Sequence, residues 1–297
     1  MGLKSEYILT EDGLRLQGMH YEVEKKDLCV LMVDGMAGFF IENYFADVLG
    51  ETLAKDGVGA IYGHNRGYAH INDITIKKTG EDGGYKTKRV GATYERFEEC
   101  IYDIDGWLRK TLKLGYKRVI LMGHSLGCNK LIYYFYKKRP KDVVGIILAS
   151  PPDMVGLAEV EKDNPNRKQL LNEARKNVKE KQPRKLLSST LWDWYRLSSQ
   201  TYLSLSEKGR PVDNLPVLRN PDKWPQLGII NVPILGIMGE KDDIEIRSLK
   251  NDLDLIASKA INAPSFNKKF VKGANHSYSR REKDLAKIVV NWIKKKY

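Results

Sequence analysis

The sequence has few cysteines, and their placement argues against covalent cross-links. Among 297 residues there are only Cys29, Cys100 and Cys128. They are odd in number and far apart, and each lies inside an apolar segment rather than in a CxxC or CxxH cluster. This pattern is not that of a disulfide framework or of a zinc site. We therefore expect free cysteines and no metal centre.

Long apolar runs are also missing. No run approaches the roughly 18 residues that a membrane-spanning helix needs. The opening residues, MGLKSEYILTEDG, lack the apolar core of a signal peptide. A myristoylation signal requires Ser or Thr at position 6, where this chain has Glu6. These absences predict a cytoplasmic protein without stable membrane association.

Acidic residues are outnumbered by basic ones, and the net charge is +12 at pH 7. A positive balance can attract nucleic acid. The densest basic stretch, residues 167–185, interleaves Glu173 and Glu180 with its cations, as the solvated face of a helix does. We therefore expect no nucleic-acid partner. Nothing in the composition distinguishes a monomer from a homodimer.

What the chain does contain is a series of short, continuous apolar runs separated by amphipathic segments. The runs are typical of strands buried on both faces of a parallel sheet, and they lie at 28–33, 58–63, 118–122, 143–149, 232–238 and 267–271. Helical periodicity predicts helices at about 41–55, 93–113, 126–138, 245–259 and 285–293. The alternation predicts an α/β fold with a doubly wound, mostly parallel sheet.

Two regions depart from this alternation. Within the first thirty residues, two half-exposed strands flank a turn at Glu11-Asp12-Gly13, which predicts antiparallel strands at the edge of the sheet. Residues 150–225 separate two strands that a single helix would normally join, and they contain helical segments and a proline-rich return. We interpret 150–225 as a helical lid inserted into a core formed by 1–149 and 226–297. Residues 64–93 are polar and glycine-rich, and we expect them to be irregular.

The stretch RVILM-GHSLG-CNKLIYYFYKK predicts a strand, a tight turn and a helix, with Ser125 at the apex of the turn. This is the setting that the nucleophile-elbow motif GxSxG requires. The glycines of the motif remove side chains that would collide where strand and helix cross. We therefore predict that Ser125 is a nucleophile rather than a serine that only caps the helix.

A serine nucleophile needs a base and an acid, which in this kind of site follow in the order Ser, acid, His. His276 is the only histidine after Ser125, and it follows a predicted strand. The acid should leave another strand end and orient the imidazole. The turn GEKDD supplies Asp242, which we favour. The alternatives for the acid are Asp243, Glu240 and Asp153.

The oxyanion that forms on attack needs two backbone amides. One is expected from Leu126, the residue after the serine at a helix N-terminus. The other is expected from the loop that follows the run at 28–33, with the sequence VDGMAGFF, where Met36 is the candidate donor.

These residues resemble the α/β-hydrolase superfamily over about 28–149 and 227–297. The motifs that carry the resemblance are GHSLG, GEKD, GANHS, DGMAG and HNRG. The resemblance implies the α/β-hydrolase fold, a triad of Ser125, His276 and Asp242, and oxyanion amides from Met36 and Leu126. It implies neither a metal nor another cofactor. The HNRG loop and the segment YERFEECIYDI at 94–104 resemble a branch that includes fungal siderophore-ester hydrolases.

Four further side chains are candidates for substrate contact. Asp34 stands where the family usually has a histidine, and its carboxylate would repel an oxyanion unless it points away, so it suggests a polar substrate contact. Arg66 either touches substrate or braces its own loop by hydrogen bonds. Trp192 and Tyr195 either line an apolar wall over the acyl group or pack the lid against the body.

The combination predicts a serine hydrolase that cleaves small carboxylic esters through an acyl-enzyme. Thioester cleavage or acyl transfer would use the same residues and is the alternative within catalysis. A non-catalytic ligand-binding module on the same fold is the alternative of another class.

Overall fold

The structure is a computed structural model that describes residues 2–77, 84–160, 166–192 and 194–297. Its strands are β1 (Gly2–Leu9), β2 (Arg15–Glu22), β3 (Leu28–Val33), β4 (Gly59–Gly63), β5 (Asn72–Lys77), β6 (Tyr85–Val90), β7 (Arg118–His124), β8 (Val143–Ala149), β9 (Ile234–Gly239) and β10 (Phe266–Val271). Its helices are α1 (Tyr44–Lys55), α2 (Cys100–Lys113), α3 (Leu126–Lys138), α4 (Met154–Glu159), α5 (Arg167–Lys179), α6 (Ser199–Ser206), α7 (Pro225–Gly228), α8 (Leu249–Lys259) and α9 (Glu282–Lys296).

Within the described residues, eight strands form one sheet in the order β1-β2-β4-β3-β7-β8-β9-β10. The pairs from β4 to β10 are parallel, while β1 pairs antiparallel with β2 and β2 antiparallel with β4. The predicted doubly wound sheet with antiparallel N-terminal edge strands is therefore confirmed. Because parallel strands end at a common edge, the loops after β3, β7, β9 and β10 meet there.

The central strands of the sheet are buried, which is why the sequence shows them as continuous apolar runs. Every residue of β3, β4 and β9 is buried, so each strand is covered on both faces and needs a continuous apolar run. Helix α1 packs beside α9, and α2 packs beside α3. Among the described residues, no helix is both long enough and apolar enough to cross a bilayer.

The segment 64–93 differs from the expectation of an irregular stretch. It contains an antiparallel hairpin of β5 and β6, which forms a separate two-stranded sheet. Ile74 and Val90 are buried, but an exposed ion pair joins Asp73 to Arg89, and most other side chains of β6 face solvent. Such a polar hairpin carries little apolar periodicity for a sequence pattern to detect. Residues 78–83 lie outside the described residues.

The connection from β8 to β9 contains α4, α5, α6 and α7. Side chains from these helices and their connecting loops belong to the same hydrophobic cluster as the sheet, among them Leu170, Tyr202 and Leu227. This segment therefore has no separate core among its described residues. Three helices elsewhere begin later than expected: α1 starts at Tyr44, α2 at Cys100 and α8 at Leu249. The hydroxyl of Ser248 caps α8 by accepting from the Asn251 amide.

Candidate active site

Ser125 lies in the sharp turn between β7 and α3, as the motif predicts. Its backbone has φ 53° and ψ −131°, a conformation that side-chain-bearing residues rarely adopt. The turn is compact because Gly123 lacks a side chain: a Cβ there would lie 2.6 Å from the Cys128 amide nitrogen. Gly127 lets α3 approach β3 closely, since a Cβ there would lie 2.2 Å from the carbonyl oxygen of Val33. The strained turn leaves Ser125 half-buried at the carboxyl edge of the sheet.

His276 and Asp242 approach each other from neighbouring strand ends. His276 follows β10 and Asp242 follows β9, and the distance from His276 Nδ1 to Asp242 Oδ1 is 2.9 Å. The Asp242 side chain is fully buried, whereas 24% of the His276 side chain is exposed. Burial acts to raise the pKa of Asp242, but hydrogen bonds from His276 and Ser150 outweigh it and hold that pKa below its usual value. Asp242 is therefore an ionised partner for the imidazole.

The second oxygen of Asp242 is held by residues that the sequence interpretation missed. Ser150, at the end of β8, donates its hydroxyl to Asp242 Oδ2 over 2.5 Å. The Tyr278 hydroxyl lies 2.9 Å from Ser150 Oγ and 3.3 Å from the Ile237 carbonyl oxygen. Because the Ser150 proton points at Asp242, Tyr278 donates in the contact with Ser150. The chain Tyr278–Ser150–Asp242–His276 fixes the orientation of the carboxylate.

The alternative acids occupy other positions. Asp243 is exposed to solvent. Glu240 accepts a hydrogen bond from the Gly273 amide over 3.0 Å and so braces the loop after β10. Asp153 caps α4 by accepting from the Gly156 amide, and burial raises its pKa to about 6. Of the four acids considered, the structure pairs only Asp242 with the histidine.

The loop after β3 lies directly against the elbow. A Cβ built on Gly35 would lie 2.9 Å from Ser125 Cβ, 3.2 Å from Ser125 Oγ and 3.1 Å from the Leu126 amide nitrogen. Among the residues the structure describes, neither the Met36 amide nor the Leu126 amide has an acceptor. The two predicted oxyanion donors are thus unpaired amides on segments that touch each other beside Ser125.

Asp34, a candidate for substrate contact, is buried and hydrogen-bonded within the protein, which favours a structural role for its carboxylate. The residue is only 3% exposed. Its carboxylate accepts from the Gly35 amide (2.7 Å), the Tyr62 hydroxyl (2.6 Å), His124 Nδ1 (3.0 Å) and the Asn43 side-chain amide. These four donors occupy the lone pairs of the Asp34 carboxylate that a substrate would need as acceptors.

Arg66, the second candidate for substrate contact, is likewise buried and ion-paired, which favours the bracing alternative. It is 1% exposed and forms ion pairs with Asp103 (2.8 Å), Asp12 (2.9 Å) and Glu99 (2.6 Å). These carboxylates accept hydrogen bonds from all three nitrogens of the guanidinium group. Arg66 therefore ties its loop to α2 and to the turn between β1 and β2.

Trp192 and Tyr195, the two aromatic candidates of the insertion, are partly exposed. The Tyr195 ring stacks on His70 with 4.2 Å between centroids, and the Trp192 ring meets Trp194 edge-on at 5.6 Å. The Tyr195 hydroxyl is buried and finds no hydrogen-bond partner among the described residues. No contact joins Trp192 or Tyr195 to Ser125 or His276 among these residues, so their role at the acyl group stays a prediction.

One group among the described residues has the spacing of metal ligands. Asp242, Asp243 and His276 each offer a ligand atom, and these atoms lie within 4.8 Å of one another. The Nδ1 atom of His276 already faces Asp242 as a hydrogen-bond donor. The arrangement is accounted for as an Asp–His pair beside an exposed carboxylate, and we do not assign it as a metal site.

Solved structures similar to this chain share its fold along nearly its whole length. DcsB in complex with its substrate analogue superposes with a TM-score of 0.69 at 14% identity, covering 99% of both chains. The Pyrococcus furiosus esterase PF2001 gives 0.60 at 16% identity, covering 99% of this chain and 91% of its own. The α/β hydrolase GrgF from Penicillium sp. sh18 gives 0.60 at 15% identity, covering 97% and 98%. At this identity the likeness concerns the fold alone.

Comparison with protein families identifies one that covers most of the chain. Residues 80–295 match the family described as "Protein of unknown function (DUF1749)". A search of curated proteins found no match. The chain thus has the α/β-hydrolase fold and belongs to the DUF1749 family of proteins of unknown function.

Proposed function

We propose that this protein is a serine hydrolase that cleaves carboxylic esters of small molecules through an acyl-enzyme. The observation that carries the proposal is the 2.9 Å hydrogen bond between His276 Nδ1 and Asp242 Oδ1. Because a carboxylate only accepts, Nδ1 must carry the proton, and Nε2 of the neutral ring is left free to accept one. A free Nε2 is what a general base for Ser125 requires.

The proposed reaction runs in two halves. Ser125 Oγ attacks the ester carbonyl carbon while His276 Nε2 takes the hydroxyl proton, and the amides of Met36 and Leu126 donate to the oxyanion. The proton then passes from His276 to the leaving alcohol as the C–O bond breaks. Water repeats the sequence on the acyl-enzyme, returns the proton to Ser125 and releases the acid. Asp242 stabilises the imidazolium that forms in each half.

The site stands at the carboxyl edge of the sheet, and the segment 150–225 is proposed to act as its lid. In this proposal Trp192 and Tyr195 supply apolar surface to the acyl or alcohol group, since aromatic side chains bury large areas against a ligand. Esterases and a thioesterase domain are both named among the similar structures, which is consistent with hydrolysis of an acyl compound.

The proposal is tested by steady-state hydrolysis of p-nitrophenyl esters of graded chain length, together with aryl esters, lactones and a thioester. We expect ester hydrolysis by the wild-type protein and its loss in Ser125→Ala. The matched control is Ser258→Ala, because Ser258 is exposed and bonds only the Leu255 carbonyl of its own helix.

Three outcomes would contradict the proposal. Full esterase activity in Ser125→Ala would place the nucleophile elsewhere. A marked preference for the thioester, or transfer to an added alcohol in place of water, would favour the thioesterase or acyltransferase alternative. Tight binding of an ester without any turnover would favour a binding module.

A further inference from the structure

His124, the residue before the proposed nucleophile, uses both of its ring nitrogens. Nδ1 lies 3.0 Å from Asp34 Oδ1, and Nε2 lies 2.9 Å from the backbone carbonyl oxygen of His276. A carbonyl oxygen can only accept a hydrogen bond, and so can an ionised carboxylate. Both ring nitrogens must therefore donate, which requires the doubly protonated, positively charged imidazolium.

The surroundings of Asp34 show that its carboxylate is ionised. Oδ1 accepts from the Gly35 amide and from His124, while Oδ2 accepts from Tyr62 and from the Asn43 side-chain amide. The amide groups of Gly35 and Asn43 have no lone pair to offer in return, so each oxygen faces at least one obligate donor. A protonated carboxyl would turn one of these contacts into a clash of two hydrogens.

His124 and Asp34 are both buried, and their attraction is large there only if the imidazole and the carboxyl group are both charged. The side chains of His124 and Asp34 are 7% and 4% exposed. Burial acts to lower the pKa of His124, but the hydrogen bond and charge of Asp34 outweigh it and raise that pKa. Burial acts to raise the pKa of Asp34, and the hydrogen bond and charge of His124 outweigh it in turn. The other titratable groups near the His124 ring include, among the described residues, His276, Tyr278, Asp242 and Tyr62.

The contacts of the pair span the three segments that carry the proposed chemistry. Asp34 belongs to the loop whose next residues are Gly35 and Met36. His124 is the last residue of β7 and is followed by Ser125. The carbonyl that receives Nε2 belongs to His276 itself, and the rings of the two histidines lie 5.0 Å apart between centroids. A single side chain thus links the oxyanion loop, the elbow and the loop of the base.

We propose that Asp34 and a protonated His124 form a positioning pair that holds these three segments in register and neutralises the charge of Asp34 beside the oxyanion site. The inference rests on the proposed serine hydrolase function. It also explains how a carboxylate can stand two residues from a candidate oxyanion amide: the imidazolium cancels its field. Without the cation, a buried negative charge would oppose the negative charge that develops on the substrate oxygen.

The first test reads the protonation state directly in the wild-type protein. Nitrogen NMR of protein labelled with ¹⁵N-histidine, with the His124 signals identified by their loss in His124→Gln, reports whether each ring nitrogen carries a proton. We expect both to remain protonated from about pH 6.5 to about pH 7.5, a range over which an unperturbed histidine with a pKa of about 6.5 loses most of its charge. A ring with one unprotonated nitrogen over this range would overturn the inference.

The second test separates positioning and charge from simple loss of structure. His124→Gln removes the cation, and we expect kcat for an activated ester to fall about 100-fold with KM changed less than about 3-fold, since small misplacement of reacting groups has effects of this size. The double variant His124→Gln/Asp34→Asn removes the stranded carboxylate as well. We expect it to recover about 10-fold of the lost kcat, because the remaining defect is positional. No recovery would refute the role assigned to the Asp34 charge.

The matched control is His20→Gln. His20 is also a fully buried histidine with a hydrogen-bonded ring, 2.9 Å from the Tyr116 hydroxyl, but it lies on β2 away from the site. We expect this variant to lose stability while keeping its kcat. If His124→Gln keeps the wild-type kcat, the positioning pair is refuted while the serine mechanism stands. If the wild-type protein hydrolyses no ester, the proposed function fails, and the NMR measurement still decides the state of His124.

Discussion

Replacing Gly35 with alanine tests the oxyanion arrangement at the point where the structure leaves least room. The added methyl carbon would lie 2.9 Å from Ser125 Cβ, 3.1 Å from the Leu126 amide nitrogen and 3.2 Å from Ser125 Oγ. The space in front of this amide and this hydroxyl is where the substrate carbonyl oxygen must sit. The methyl group therefore occupies the oxyanion position or pushes the two segments apart.

The size of the effect follows from which interactions are lost. Removal of one oxyanion donor typically lowers kcat by about 100- to 1,000-fold, or about 3–4 kcal/mol of transition-state stabilisation. Gly35 has no positive φ, so alanine fits its backbone and only the contact changes. We expect Gly35→Ala to lose at least about 100-fold in kcat for p-nitrophenyl acetate.

The control for this substitution is Gly228→Ala. A Cβ at Gly228 would meet its nearest neighbour, Ile261, at 3.5 Å, which is an ordinary contact and involves neither Ser125 nor Leu126. This variant should keep the wild-type kcat, and a urea titration of both variants shows whether either has lost its fold. A folded Gly35→Ala protein with kcat within about 3-fold of wild type would refute the oxyanion arrangement.

Three further predictions concern the proposed triad acid Asp242, the Ser150 hydroxyl that donates to it, and His64. Asp242→Asn should lower kcat by about 10,000-fold because the wrong imidazole tautomer is favoured, whereas Asp243→Asn should stay close to wild type in the same ester assay. Ser150→Ala should cost about 1.5–3 kcal/mol of unfolding free energy in urea at pH 7, since it removes a hydrogen bond to a buried carboxylate. The loss of unfolding free energy in Ser150→Ala should become smaller as the pH falls below about 3.8, because Asp242 then takes up a proton and no longer stabilises the fold as a carboxylate. An equal loss at pH 7 and below about pH 3.8 would contradict this. Burial lowers the pKa of His64 from 6.5 to about 4. Between these pH values the unfolded chain binds a proton at His64 that the folded protein does not, so the free energy of unfolding should fall by at most about 3 kcal/mol as the pH is lowered from 6.5 to about 4. His64→Gln should abolish this fall. If the variant is as acid-sensitive as wild type, the assignment to His64 is wrong.

The parts of this protein that the sequence predicts are those with a local signature. The runs at 28–33 and 143–149 match β3 and β8 residue for residue, because strands covered on both faces must be apolar throughout. The GHSLG turn also has a local signature, since its serine and glycines stand between a predicted strand and a predicted helix. The exposed hairpin of β5 and β6 has no such run, and the sequence pattern missed it.

The parts that could not be predicted are contacts between distant segments. Ser150 reaches Asp242 across 92 residues, and His124 reaches Asp34 across 90 residues. The order of the strands in the sheet brings these residues together, and periodicity carries no information on that order. For the same reason the sequence suggested a substrate contact for Asp34, because it does not show the four groups within the protein that donate to this carboxylate.

The most direct test of the central claim is labelling with a fluorophosphonate, which reacts with an activated serine. Intact-mass analysis after incubation should show a single adduct on the wild-type protein, and peptide mapping should place it on Ser125. The adduct should disappear in Ser125→Ala and persist in Ser258→Ala. An unlabelled wild-type protein, or an adduct on another residue, would contradict the account.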